Sequence, residues 1–214
     1  MGCMQVLFQR FWLIVGRSVI EEVKRVFADR RVLSYLNNTH IALIPKIQGP
    51  KTLGNYRPIS LCNNVCKIVT KIIVARLSPY LDKLISPVQA SFVSSRKGID
   101  NAIIVQEVIH SIAKKRGKVG YMALKIDLEK AYDKLERSFI KETLIRVNMP
   151  IDLIDVIMSC VSTISTSILV NGEALDLIYP SRGIRQRDLL SPYLFILCMD
   201  YLGQFIEKKC NEGI

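Results

Sequence analysis

The chain has 214 residues, half of them hydrophobic, and carries a net charge of +11 at pH 7. That length suits one large domain or two small lobes, and the apolar content excludes a wholly disordered chain. The excess of cations favours a polyanionic partner, nucleic acid or a membrane surface, without choosing between them. The charge is uneven: residues 1–120 hold 19 basic and 6 acidic side chains, whereas residues 121–214 hold 11 and 13. A basic first part can grip phosphate while the second contributes carboxylates; the alternative is that Lys and Arg merely solvate helix faces.

The elements follow from periodicity. Residues 11–28 read as a helix, with Val15, Val19, Val23, Val26 and Phe27 on an apolar stripe. Asn37, Asn38 and Thr39 read as a turn, and 40–44 as a short strand stopped by Pro45. Residues 46–58, with Gly49, Pro50, Gly54 and Pro58, read as a polar loop. Residues 61–84 read as mainly helical, bent or divided at Pro79. A loop over 86–100 leads to a helix capped by Asp100 or Asn101 and running toward Lys115.

Residues 121–127 alternate, Met122, Leu124 and Ile126 against Ala123, Lys125 and Asp127, which predicts a strand with one face packed. Helices are expected near 136–147 and 151–160. The β-branched run 163–170, the turn Asn171-Gly172 and residues 173–179 predict a hairpin. A charged loop over 180–190 precedes a last helix over 192–209, with Pro192 in its first turn. This order predicts an α+β domain and not a doubly wound sheet.

The six cysteines, Cys3, Cys62, Cys66, Cys160, Cys198 and Cys210, form no CxxC pair, and neither histidine lies at zinc-finger spacing from them. Free thiols in a reducing compartment are expected. No run reaches the ~18–20 apolar residues of a membrane span, so no membrane partner is expected. No signal peptide is expected either, and Val6 stands where a myristoylation signal needs Ser or Thr.

Three places carry candidate chemistry. Asp127 ends the apolar alternation, where a strand holds a carboxylate in a fixed direction for a divalent cation; alternatively it caps a turn, with Asp133 opening a helix. In Gly183-Ile184-Arg185-Gln186, Gly183 brings backbone close to a ligand, Arg185 meets a phosphate and Gln186 donates and accepts hydrogen bonds; alternatively this is a solvated loop. In Asn55-Tyr56-Arg57-Pro58, Arg57 sits among Lys46 and Lys51 in a position to clamp phosphate.

Together these stretches resemble the reverse transcriptase domain of plant LINE-type (non-LTR) retroelements. The resemblance runs through His40-Ile41-Ala42-Leu43-Ile44-Pro45-Lys46 and Asn55-Tyr56-Arg57-Pro58-Ile59-Ser60-Leu61 to Gln89-Ala90-Ser91-Phe92-Val93. It continues through Asp127-Leu128-Glu129-Lys130-Ala131-Tyr132-Asp133 and Gly183-Ile184-Arg185-Gln186 to Leu190-Ser191-Pro192-Tyr193-Leu194-Phe195. Leu7-Phe8-Gln9-Arg10-Phe11-Trp12 is similar to the family's lead-in. No single piece is specific; their order and spacing are.

The resemblance implies a right-hand polymerase. A lead-in over 1–36 precedes helix-rich fingers over 37–120 and an incomplete antiparallel-sheet palm over 121–214, with no thumb. It implies Asp127 as the first catalytic carboxylate and a metal ligand, Tyr132 under the incoming sugar, Arg57 on the triphosphate, and Gly183 and Gln186 in the nucleotide pocket. It implies Mg²⁺, an RNA template, an RNA–DNA or DNA primer duplex and deoxynucleoside triphosphates.

The chain departs from the family pattern in three ways. No Asp-Asp pair occurs in it, Arg187 stands where the family has Gly, and Leu189 stands where it has Pro. The expectation is therefore a polymerase domain cut before its Ala-Asp-Asp motif and catalytically incomplete alone, with Arg187 beside the nucleotide pocket. Two other readings are a non-catalytic nucleic-acid-binding module and a non-functional retroelement remnant.

Overall fold

In α1 (Trp12–Ala28), Gly16, Val19, Val23 and Val26 recur at helical spacing and are buried, as the periodicity predicts. The computed structural model describes all residues except 1–5, 7, 88, 90, 91, 94, 95, 118, 119, 213 and 214. Cys3, Leu7, Ala90 and Ser91, each quoted above, lie outside the described residues.

Strand β1 (Asn38–Pro45) pairs antiparallel with β2 (Tyr56–Cys62), setting Leu43 opposite Pro58 and Ile44 opposite Arg57. Two expectations are corrected here. The strand begins within the expected Asn37–Thr39 turn, and β2 occupies residues expected as loop and helix. Pro58 reads as a breaker, but β2 is the sheet's edge strand, where a residue without an N–H leaves no ladder bond unmade.

Asn63 caps α2 (Asn64–Leu77) by accepting from the Val65 N–H at 2.9 Å. Pro79 then divides the chain, as expected, into a 3₁₀ turn (Ser78–Tyr80) and α3 (Leu81–Leu84). Helix α4 (Gly98–Lys114) buries none of its residues.

Residues 121–127 form no strand. The period-2 pattern is present, but a strand needs a neighbour for its N–H and C=O groups, and no described strand pairs with it. Its apolar face lies open: Met122 is 87% exposed and Leu124 76%.

Helices α5 (Ala131–Lys134), α6 (Arg137–Arg146) and α7 (Ile151–Ser162) follow. Strand β3 (Ser165–Val170) turns through Asn171 and Gly172, both at positive φ, into β4 (Glu173–Ala174). The expected hairpin is shorter than 173–179: beyond Ala174 only a bridge between Thr166 and Ile178 remains. Helix α8 (Ser191–Asn211) carries Pro192 in its first turn.

The sheet order is β2-β1-β3-β4, with β1 and β3 parallel. The α+β class stands, but the sheet is mixed where an antiparallel one was expected. Its parallel pair joins a strand from the basic first part to one from the second. Beneath it, one core gathers Val26 of α1, Val69 and Ile73 of α2, Ile140 of α6, Ile157 of α7 and Leu194 of α8. No described helix is long and apolar enough to cross a membrane.

Candidate functional site

The loop before α8 is locked onto α5 by backbone. The Gly183 N–H donates to the Leu135 carbonyl at 2.8 Å, and the Ile184 N–H donates to the Tyr132 carbonyl at 2.9 Å. Gly183 has φ +85°, and a Cβ there would lie 2.9 Å from the Asp133 carbonyl oxygen. Glycine is required twice over, for the left-handed backbone and for the close approach. The approach expected from sequence was to a ligand; the one the structure holds is to the chain itself.

Gln186 extends the junction, its Nε2 donating to Asp133 Oδ1 at 3.2 Å. The Tyr132 ring stacks on Phe195 of α8, centroids 4.9 Å apart and planes 16° apart. Burial pushes the Tyr132 phenol above its ordinary value, so it stays protonated at neutral pH. The fold thus brings Tyr132, Gly183 and Gln186 together from segments about fifty residues apart. Asp133, read from sequence as a helix-opening residue, adds the side chain that accepts from Gln186.

Asp127 and Arg57 stand apart. Asp127 is exposed on the unpaired stretch and makes no hydrogen bond or ion pair among the described residues. Arg57 is exposed on edge strand β2, and no described contact links it to the Tyr132–Gln186 junction. No three His, Cys, Asp or Glu side chains gather as a metal site among the described residues. The donor set falls short of a divalent-cation cage, with Asp127 a single available ligand.

Arg185 was expected to meet phosphate and is instead buried, its side chain 5% exposed. Its Nη2 donates to the Asn37 carbonyl at 3.0 Å and to Asn37 Oδ1 at 2.6 Å, and its Nη1 lies 3.6 Å from Asp188 Oδ2. Asn37 in turn donates through Nδ2 to the Cys160 carbonyl and to Thr163 Oγ1, each at 2.8 Å. This network ties the loop to the start of β1 and the end of α7. The neighbouring Cys66 thiol is pushed by burial up to about 11, which keeps it protonated and inert. No sequence signal marks Asn37, because an Asn before a strand reads as a turn.

Arg187 has φ +66°, which explains in physical terms why glycine suits this position better. A matched pair of substitutions should separate conformational strain from close contact. Arg187→Gly should raise stability by about 0.5–1 kcal/mol through relief of the left-handed backbone. Gly183→Ala should lower it by at least ~2 kcal/mol, since strain and backbone collision add. Urea-denaturation midpoints of the two variants read both effects; equal shifts in one direction would contradict the geometry.

The family model described as "Reverse transcriptase (RNA-dependent DNA polymerase)" matches residues 44–214. The chain is 25% identical over 202 residues to the transposon TX1 uncharacterized 149 kDa protein of Xenopus laevis, covering 94% of this chain and 15% of that one. It is 31% identical over 171 residues to the retrovirus-related Pol polyprotein from type-2 retrotransposable element R2DM of Drosophila melanogaster, covering 80% of this chain and 16% of that one. A shorter likeness, 47% over 45 residues, covers 21% of this chain and 37% of an uncharacterized mitochondrial protein of Arabidopsis thaliana. The chain therefore spans 15–16% of the length of the two long relatives.

Proposed function

The chain belongs to the reverse transcriptase family, as a domain akin to those of non-LTR retrotransposon Pol polyproteins, and on that premise we propose that it serves RNA-directed DNA synthesis as the fingers and palm of a right-hand polymerase. The observation that carries this is the junction of Tyr132 and Asp133 with Gly183 and Gln186, two distant segments closed on each other by backbone hydrogen bonds. In this reading residues 1–36 lead in, 37–120 are fingers, and 121–214 are palm. Tyr132 lies under the incoming sugar, Gly183 and Gln186 wall the nucleotide pocket, and Arg57 reaches the triphosphate.

Mg²⁺ is the cofactor this reading carries, and Asp127 is the ligand it assigns. One exposed carboxylate does not hold a pair of cations, and this sequence contains no Asp-Asp pair. The likeness to the Arabidopsis protein supports a plant element as the source.

The partners are an RNA template, its primer duplex and deoxynucleoside triphosphates. The chain should bind an RNA–DNA duplex without sequence preference through the +13 charge of residues 1–120. Affinity should fall steeply between about 50 and about 200 mM salt, by at least tenfold, in a fluorescence-anisotropy titration. Absence of binding at low salt, or affinity indifferent to salt, would remove this reading.

A further inference from the structure

Residues 121–128 carry a period-2 pattern without a partner strand. Met122, Leu124, Ile126 and Leu128 are exposed, and the backbone between them joins no described ladder. An open edge that bears apolar side chains is a template for a further strand.

The surface beside this edge is apolar too. Ile104, Val108 and Ile112 of α4 line one open cavity with Tyr121 and Met122. Lys115 Nζ sits 3.3 Å from the Tyr121 ring centroid and fixes the start of the stretch against the helix. Six aliphatic side chains of α4 between Ile99 and Ile109 are exposed, as are five large apolar ones between Tyr121 and Leu128. At roughly half of the ~150–250 Å² of a large side chain apiece, they leave on the order of 1,000 Å² of apolar surface open. A standard interface takes ~800 Å² from each partner, and a patch of this size marks an interaction site.

The stretch is complementary to itself. Laid antiparallel on a second copy and centred on Ile126, it sets Lys125 opposite the partner's Asp127, twice by symmetry, and Leu124 opposite the partner's Leu128. Ile126 then faces its own copy, so apolar meets apolar on one side of the ladder and unlike charges meet on the other. Centring the pair one residue earlier or later sets Lys125 or Asp127 against itself, like charge on like.

We propose that residues 124–128 pair with the same residues of a second copy about a two-fold axis, with the apolar face of α4 flanking the ladder. Such a contact is isologous: each copy uses the same edge, and assembly stops at two. The dimer rests on neither the Tyr132–Gln186 junction nor catalysis. It engages the Asp127 carboxylate, so its test is run without divalent cations.

Sedimentation velocity on the full 214-residue chain, in chelator and at moderate salt, reads the state across micromolar concentrations. Monomer and dimer should exchange by mass action, with no larger species. Lys125→Glu turns both ion pairs into like-charge pairs and should raise the dimer Kd roughly tenfold. Lys125→Glu/Asp127→Lys restores unlike charges with the partners exchanged, and should return the Kd to within about threefold of the parent. Leu124→Asp puts charge into the apolar side of the ladder and should raise the Kd by at least ~tenfold. All three positions are exposed, so these substitutions leave the core untouched.

A chain that stays monomeric at every concentration overturns the proposal. So does growth beyond the dimer, which means unspecific apolar association. A Kd raised as much by the double variant as by Lys125→Glu overturns it as well, because the charges then do not face each other. Since no outcome reads primer extension, failure here and failure of the polymerase reading are separately visible.

Discussion

Given a primed homopolymer RNA template, nucleotides and Mg²⁺ or Mn²⁺, the isolated 214-residue chain is expected to extend no primer, and Asp127→Ala should leave the same background. Two divalent cations ~3.5–4 Å apart repel strongly, and several carboxylates must converge to offset that repulsion. Asp127 is one carboxylate on an exposed, unpaired stretch, and no cluster of metal-ligating side chains gathers among the described residues. Arg187→Gly should not restore activity, because it relieves backbone strain and adds no ligand.

The positive arm joins this chain to a downstream palm segment that carries the family's Ala-Asp-Asp motif. Extension should then appear, and Asp127→Asn should lower it by roughly 10³-fold, the several kcal/mol that metal stabilisation of a transition state contributes. Extension by the isolated chain that vanishes in Asp127→Ala would overturn the first arm and mean that another carboxylate completes the site. Extension by the joined protein that is indifferent to Asp127→Asn would overturn the role given to Asp127.

Arg185→Ala should be the most damaging single substitution for folding, at about 3–5 kcal/mol. The guanidinium is buried against the Asn37 carbonyl and Oδ1, with Asp188 beside it. Removing it leaves these acceptors without their charged donor, which costs far more than the lost contact area. Against a typical total of ~5–15 kcal/mol, such a loss leaves little net stability. A protein of this size should lose about 10 °C in thermal midpoint. Arg185→Lys should recover only part of this, because an ammonium is a point donor and lacks the planar fork that spans Asn37 and faces Asp188. A melting point of Arg185→Ala within about 2 °C of the parent would show that the network carries no weight.

Residue pattern alone determined the longer helices, though not the short α5. The valines of α1, the break at Pro79, the Asn171-Gly172 turn and Pro192 at the start of α8 all act through neighbours within a turn or two, so their signals are local. The motif order likewise marked the family before any fold was seen, because spacing along a chain needs no third dimension. Tertiary structure decided what depended on distant partners. Whether 56–62 became a strand rested on an edge beside β1 where Pro58 is tolerated, and whether 121–127 became one rested on a neighbour that no described strand supplies.

The candidate site divides in the same way. Tyr132, Gly183 and Gln186 were legible as separate motifs, but their closure through the Tyr132 and Leu135 carbonyls and Asp133 is a contact across about fifty residues. Arg185 shows the limit most clearly. From sequence Arg185 was expected to meet phosphate and Arg187 to lie beside the nucleotide pocket, yet Arg185 is buried against Asn37, 148 positions away, and Arg187 lines an open cavity. A side chain's charge is a property of the residue, whereas its desolvation is set by whatever the rest of the chain packs around it.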